Sequence, residues 1–291
     1  MTTVSERQWC AVRHSLRTSA ERFAELVRAA PSPAAMVTAE WSVAEMTAHV
    51  AAIASMYSGR LANRGAAPPG SPMAGLVPTV TVDTVAEYNE ATLRQFTERR
   101  PEVLTNQLLT DVDDILRFAE LLPADLPVPW LGDARLPVAG VLAHMLNELL
   151  VHGHDIGTAL RLPWTIPTTD AALFVDLFLF NVLASPGRLV PSATQYPDRM
   201  VSVELLSKHT RPAKVVLHQR KVSVEPPDGQ CDVRLRFDPP GLDLMLFGRL
   251  SRARAALTGK VLVTGRRPWL LPGFLRVVRL PTNSVPRGHS E

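Results

Sequence analysis

The sequence predicts an α+β protein in two parts: a helical N-terminal bundle over residues 1–185, then an α+β domain with an antiparallel sheet over 186–291. Three observations carry this prediction. With 291 residues the chain has about twice the usual single-domain length. From Ser5 to Leu183 apolar residues recur at helical spacing. After Ser185-Pro186-Gly187 the pattern turns to short, β-branched runs separated by Pro, Gly and Asp.

The elements follow in order. Ser5 to about Ala29 places Trp9, Val12, Leu16, Phe23, Leu26 and Val27 on one helical face and stops before Pro31 and Pro33. A second helix starts at Trp41-Ser42, where Ser42 as N-cap and Glu45 form a capping box, and runs through His49 to about Leu61. The Gly/Pro-rich loop G-A-A-P-P-G-S-P separates it from a third helix, Thr84 to Glu98. Asp111 to Leu122 adds helical turns, and Pro137 opens the most regular helix, Val138 to Leu160. Thr169 is expected to cap an apolar helix from Ala171 to about Leu183. Strands are expected at Met200–Leu206, Ala213–Leu217, Lys221–Val224, Cys231–Phe237 and Lys260–Thr264. An amphipathic helix over Gly241–Leu257 and a short one over Trp269–Leu280 complete the reading.

Composition bounds the function. Hydrophobic residues at 46% and charged residues at 20% are ordinary for a globular protein. No apolar run is long and unbroken enough to span a bilayer. M-T-T-V-S-E-R-Q-W shows no basic segment followed by an apolar core, so a cytoplasmic location is expected. Cys10 and Cys231 lack any metal-type spacing and read as free thiols in a reducing compartment. The net charge of +3 is uneven: nine Lys/Arg and no Asp/Glu lie between Arg249 and Ser290. That basic stretch suits a solvated face, an anionic small molecule or weak contact with a membrane surface. Nucleic acid fits poorly, because no stacking aromatics and no nucleic-acid-binding motif accompany the arginines.

The chemistry concentrates in N-E-L-L-V-H-G-H-D, Asn147 to Asp155. Residues four apart share a helix face, which puts His144, Glu148 and His152 in one row. Two ligands from one helix do not make a stable site, and His49 is the natural third: it lies with Met46, Val50 and Ile53 on the stripe of helix two that faces the core. Three such donors leave one position open on a tetrahedral Zn²⁺, the mark of a catalytic site. Asp155 and His144 are placed to support the ligands from behind. Spacing alone is weak evidence and favours a solvated or internally paired polar row over a metal site. The H-E-x-x-H arrangement of zinc peptidases is absent. Ser251, Thr258 and Thr264 read as turns and caps, His14, His209, His218 and His289 as exposed or locally paired, and Trp41 as a packing anchor.

Two stretches carry a resemblance. W-S-V-A-E-M-T-A-H-V, Trp41 to Val50, and E-L-L-V-H-G-H-D-I, Glu148 to Ile156, are similar to the motifs of the mycothiol-dependent maleylpyruvate isomerase family, a branch of the DinB-like metal-binding, up-down four-helix bundles. The resemblance implies that His49, Glu148 and His152 bind a metal, usually zinc, and that a thiol and the substrate share its open side. It extends to G-L-D-L-M-L-F-G-R, Gly241 to Arg249, which looks like a helix of the family's second domain, itself similar to sterol carrier protein 2. Arg249 thereby inherits a catalytic role facing the metal cleft. His144 and His154 depart from the family pattern, as does the basic stretch after Arg249, and these departures bear on the substrate more than on the metal.

The implied reaction is concrete. Zn²⁺ or another divalent ion lowers the pKa of a bound thiol such as mycothiol, and the thiolate adds to an activated double bond. Rotation and elimination give a cis-trans isomerase, whereas stopping after addition gives a transferase. Arg249 would bind the carboxylate of a small acidic substrate. The alternative is a non-catalytic, metal-containing protein whose sterol-carrier-like domain holds a lipid or another anionic ligand. Monomer and dimer are both compatible with the sequence.

Overall fold

The computed structural model describes residues 3–64, 66, 77–185, 199–219, 221–278 and 280. The Gly/Pro-rich loop at 65–72 apart from residue 66, residues 186–187 of the break after the helices, His289 and the end of the basic stretch lie outside the described residues. The chain divides into two compact units, Met1–Ala74 with Ala91–Pro129 and Arg135–Val182, and Gly75–Glu90 with Trp130–Ala134 and Leu183–Glu291.

The first unit is a four-helix bundle of α1 (Glu6–Arg28), α2 (Val43–Ala62), α4 (Pro101–Ala119) and α5 (Val138–Leu160). Helix α1 packs on α4 and α5, and α2 packs on the same two, so the order around the bundle is α1–α4–α2–α5. Capping boxes start the first two helices: Ser5 with Gln8 for α1 and Ser42 with Glu45 for α2. Helix α3 (Val85–Gln95) ends three residues short of the expected Glu98, because the Arg99 guanidinium takes up the carbonyls of Leu93 at 2.9 Å and Phe96 at 2.5 Å. Arg100 is then extended, as a residue before proline prefers, and Pro101 opens α4 ten residues before the turns expected at Asp111.

The apolar segment after α5 begins with α6 (Thr168–Leu173), passes through one π-helical stretch (Phe174–Leu179) and ends as α7 (Phe180–Ala184). Thr169 is not its cap. Pro167 occupies the N-cap position with no side-chain bond, and the Thr169 hydroxyl turns to the neighbouring Asp170 carboxylate at 3.2 Å. The extra residue of the π stretch frees backbone carbonyls, and Asn181 Nδ2 donates to that of Leu177 at 2.9 Å. A small hairpin, β1 (Pro127–Pro129) and β2 (Arg135–Pro137), leads directly into α5 and is not marked by any β-branched run.

The second unit is built on a five-stranded sheet in the order β5 (Lys221–Glu225), β4 (Ala213–His218), β3 (Val201–Leu206), β6 (Val233–Phe237), β7 (Val261–Thr264). All pairs are antiparallel except β3 with β6. That parallel pair sets Glu204 opposite Arg234, which form an ion pair, while the Asp232 carboxylate accepts from the Ser202 backbone N–H at 3.1 Å. The helix expected over Gly241–Leu257 is two helices, α8 (Pro239–Leu246) and α9 (Arg252–Leu257). Gly248 at φ 76° ends the first, a conformation that favours glycine, and the Ser251 hydroxyl caps the second by accepting from Arg254 N–H at 3.2 Å. A 3₁₀ turn, Pro268–Leu270, precedes α10 (Leu271–Val277) where one helix was expected.

Within the bundle, Asp111 of α4 is buried against α2, with Ser55 Oγ and Gln107 Nε2 donating to its carboxylate. Burial raises its pKa above the ordinary 3.8, and these two donors oppose the shift without cancelling it. The folded state therefore holds this proton more tightly than the unfolded one. Ionised Asp111 costs stability at neutral pH, and the cost disappears as the pH falls through the raised value and below 3.8. Asp111→Asn is expected to raise the melting temperature at neutral pH, with the gain vanishing in acid; melting curves across that range measure it.

Candidate metal centre

Helix α2 delivers His49 from a fixed start. The capping box at Ser42 sets the helix register two turns before His49, and Trp41, just ahead of the cap, is anchored by its own backbone: its carbonyl accepts from Val37 at 2.9 Å and Thr38 at 3.1 Å. The Trp41 ring then covers the imidazole of His49 with 4.8 Å between ring centres, and it lies 6.3 Å from that of His152. Trp41 is thus a wall of the site as well as a packing anchor.

Helix α5 presents the other donors. Glu148 Oε2 lies 3.2 Å from His152 Nε2 and 3.6 Å from His49 Nε2, and Glu148 Oε1 lies 3.3 Å from His144 Nε2. His49 and His152 are 3% and 5% exposed, so this row is no solvated helix face. Their rings meet edge to face at 5.2 Å. His152 Nδ1 is 3.3 Å from Asp155 Oδ2, which fixes the ring from behind and leaves Nε2 turned inward. His144 Nδ1 meets Tyr57 Oη at 3.0 Å, and the ring of Phe178, from the π stretch, lies 4.6 Å from that of His144.

The electrostatics follow from burial and pairing. Burial alone would raise the pKa of Glu148, yet hydrogen bonds from His152 and His49 and the nearby imidazoles hold it well below the ordinary carboxylate range. Burial would likewise lower His152, but bonding to Asp155 and Glu148 outweighs it and raises the imidazole above 6.5. His144 is pushed down by burial against the pull of Glu148. The site is a partly enclosed anion ringed by imidazoles, arranged to hold a cation.

One ligand atom from each of His49, Glu148 and His152 lies within 4.8 Å of the others. A divalent ion with bonds of about 2.0–2.2 Å would bring its donors to about 3.3–3.6 Å of one another, so the side chains would close in around it. The nitrogen and oxygen donors suit zinc and its borderline neighbours, and the donor set therefore fits such an ion.

The remaining predicted residues are not part of the three-donor cluster. His154 is half-buried on α5. Arg249 belongs to the second unit, where its Nη1 donates to the carbonyl of Phe247 at 2.6 Å. Ser251 and Thr258 are caps, as their sequence context indicated. Tyr57 and Phe178 were not marked by sequence; Tyr57 lies two turns beyond His49 on the same helix, which is the one available signal.

Fold and site together define a helical-bundle protein with a paired-imidazole and carboxylate cluster shared between two helices. The sequence pattern of the mycothiol maleylpyruvate isomerase N-terminal domain family matches residues 12–157, and the chain belongs to that family. The crystal structure of the mycothiol-dependent maleylpyruvate isomerase H52A mutant shares the fold, with a TM-score of 0.51 and 14% identity over 91% of this chain and 96% of that one. A second crystal structure of the mycothiol-dependent maleylpyruvate isomerase gives a TM-score of 0.48, with 14% identity over the same shares of the two chains. No curated protein matches the chain.

Gly153, between the two histidines of H-G-H-D, answers to a different neighbour. A Cβ there would lie 2.2 Å from the Trp164 indole, whose Nε1 donates to the Leu150 carbonyl at 3.0 Å and whose face is covered by the Arg22 guanidinium at 4.5 Å. Gly153→Ala must displace that ring. Chemical denaturation is expected to show a loss of about 1–3 kcal/mol, typical of forced overpacking.

Proposed function

We propose that this chain is a metal-dependent enzyme that uses a low-molecular-weight thiol, such as mycothiol, for cis-trans isomerisation or thiol transfer on a small acidic electrophile. The observation that carries the proposal is the convergence of His49, Glu148 and His152 within the residues that match the family. These three side chains would hold the ion, with zinc the favoured identity given two imidazoles and a carboxylate. Bound there, a divalent ion supplies Lewis acidity that keeps a thiol ionised near neutral pH.

The chain's own residues do the rest. Asp155 accepts from His152 Nδ1, so that Nε2 offers its lone pair inward. Trp41 shields His49 from water on one side. Arg249 is assigned to the substrate carboxylate, where a guanidinium binds two oxygens at once; support for this role comes from the family-like G-L-D-L-M-L-F-G-R stretch and from the basic character of the residues after it. The division of labour between a metal-holding bundle and a sterol-carrier-like second domain belongs to the same proposal. So does a cytoplasmic site of action, which the free thiols of Cys10 and Cys231 favour and with which the lack of any membrane-spanning helix among the described residues agrees.

Metal analysis of the purified chain is expected to give one divalent ion per molecule, lost in His49→Ala and Glu148→Ala. Wild-type protein without stoichiometric metal would sink the enzyme reading. With metal present, consumption of mycothiol against maleylpyruvate and related unsaturated acids tests the reaction. Arg249→Ala is expected to raise KM for the acid, and unchanged turnover and KM would remove Arg249 from the site.

A further inference from the structure

The carboxylate of Glu148 is held at both ends. Oε2 faces the two ligand imidazoles, His152 Nε2 at 3.2 Å and His49 Nε2 at 3.6 Å, whereas Oε1 lies 3.3 Å from Nε2 of His144. His144 is itself held, with Nδ1 3.0 Å from Tyr57 Oη. Tyr57 is 1% exposed, and its ring stands perpendicular to the imidazole. Donor accounting gives the direction of this chain. An ionised carboxylate only accepts, so Nε2 of His144 carries the hydrogen; Nδ1 of the neutral ring is then an acceptor, and the Tyr57 hydroxyl donates to it.

We infer that Tyr57 and His144 are positioning residues for the metal centre: by holding Oε1 of Glu148 they make the carboxylate offer a single oxygen, Oε2, to the ion. The inference rests on the metal reading given above and deepens it. A carboxylate can grip an ion with one oxygen or with both, and the second oxygen takes up coordination space that the thiol and substrate need. Three single-atom donors leave a four-coordinate ion one open position. Phe178 against the His144 ring and the burial of Tyr57 keep the chain of hydrogen bonds away from water, which would otherwise compete for Oε1. Removing the Tyr57 hydroxyl takes away the hydrogen bond that fixes the His144 ring, so its Nε2–H no longer holds Oε1 in one place and the carboxylate is free to turn.

The test uses the full chain loaded with Zn²⁺ or Co²⁺. Competition with a chelator reads Zn²⁺ affinity, and the visible absorption of the Co²⁺ form reads coordination number, since four-coordinate Co²⁺ absorbs strongly and five- or six-coordinate Co²⁺ weakly. Tyr57→Phe and His144→Phe are expected to lose about tenfold or more in Zn²⁺ affinity, the usual effect of removing a group behind a ligand, and to weaken the Co²⁺ bands. His144→Gln, whose amide donor stands close to the place of Nε2, is expected to retain both. Wild-type affinity and an unchanged Co²⁺ spectrum in Tyr57→Phe and His144→Phe would overturn the inference while leaving the metal centre intact. Failure of the wild-type chain to bind either ion would overturn the metal reading itself. Tyr57→Phe removes one oxygen from a ring that stays packed, so it reads the bond even where His144→Phe fails to fold, and melting of the metal-free variants tells these cases apart.

Discussion

A carboxylate set among imidazoles is the constraint on which the bundle turns. Taking an ionised carboxylate out of water costs several kcal/mol unless its oxygens are met, and Glu148 meets this by placing each oxygen against a histidine nitrogen. One of those nitrogens, on His49, comes from another helix. The pairing therefore ties α2 to α5, and any slide of one past the other would take His49 away from Oε2 and leave the carboxylate with only the imidazoles of its own helix, His144 and His152. The fully buried residues flanking the donors, Met46 and Val50 on α2 and Met145 and Leu149 on α5, supply the apolar surroundings that make the penalty for such a slide large.

The nine residues that crowd this region are not one motif but several. Glu148 and His152 turn inward to the donor cluster, Asp155 braces His152, and Gly153 leaves room for an indole. Trp164 reaches that position because α5 ends at Arg161 in a left-handed conformation, φ 56°, and the chain turns back through Pro163. Its ring then sits against Gly153, fixing the end of the helix that carries the donors. Positions adjacent in sequence thus answer to neighbours on different sides of one helix.

How far the sequence was legible depends on the same physics. Helices α1, α2 and α5 lie within about a residue of where periodicity and capping place them, because each combines a strong apolar stripe with a clear start or stop. The turns that depended on other parts of the molecule were not legible: the π stretch at Phe174, the break at Gly248 and the early stop of α3 under the Arg99 side chain. The convergence of His49 with Glu148 and His152 was legible, since the core-facing stripe of one helix must meet that of another. Tyr57 and Trp41 were not, because a buried aromatic on an apolar face looks like packing until the polar atom or ring it meets is known.

The likeness at 14% identity shows the fold and says nothing of the substrate. The features that set this chain's chemistry must therefore come from its own side chains around the donors. Here they are asymmetric: Trp41 lies against His49, while His144, Tyr57 and Phe178 form a hydrogen-bonded and aromatic flank on the other oxygen of Glu148. A donor set walled by an indole on one side and anchored through a carboxylate on the other has its approach directions limited by side chains that the bundle itself holds rigid. The side chains that would meet an approaching molecule are therefore not the donors themselves.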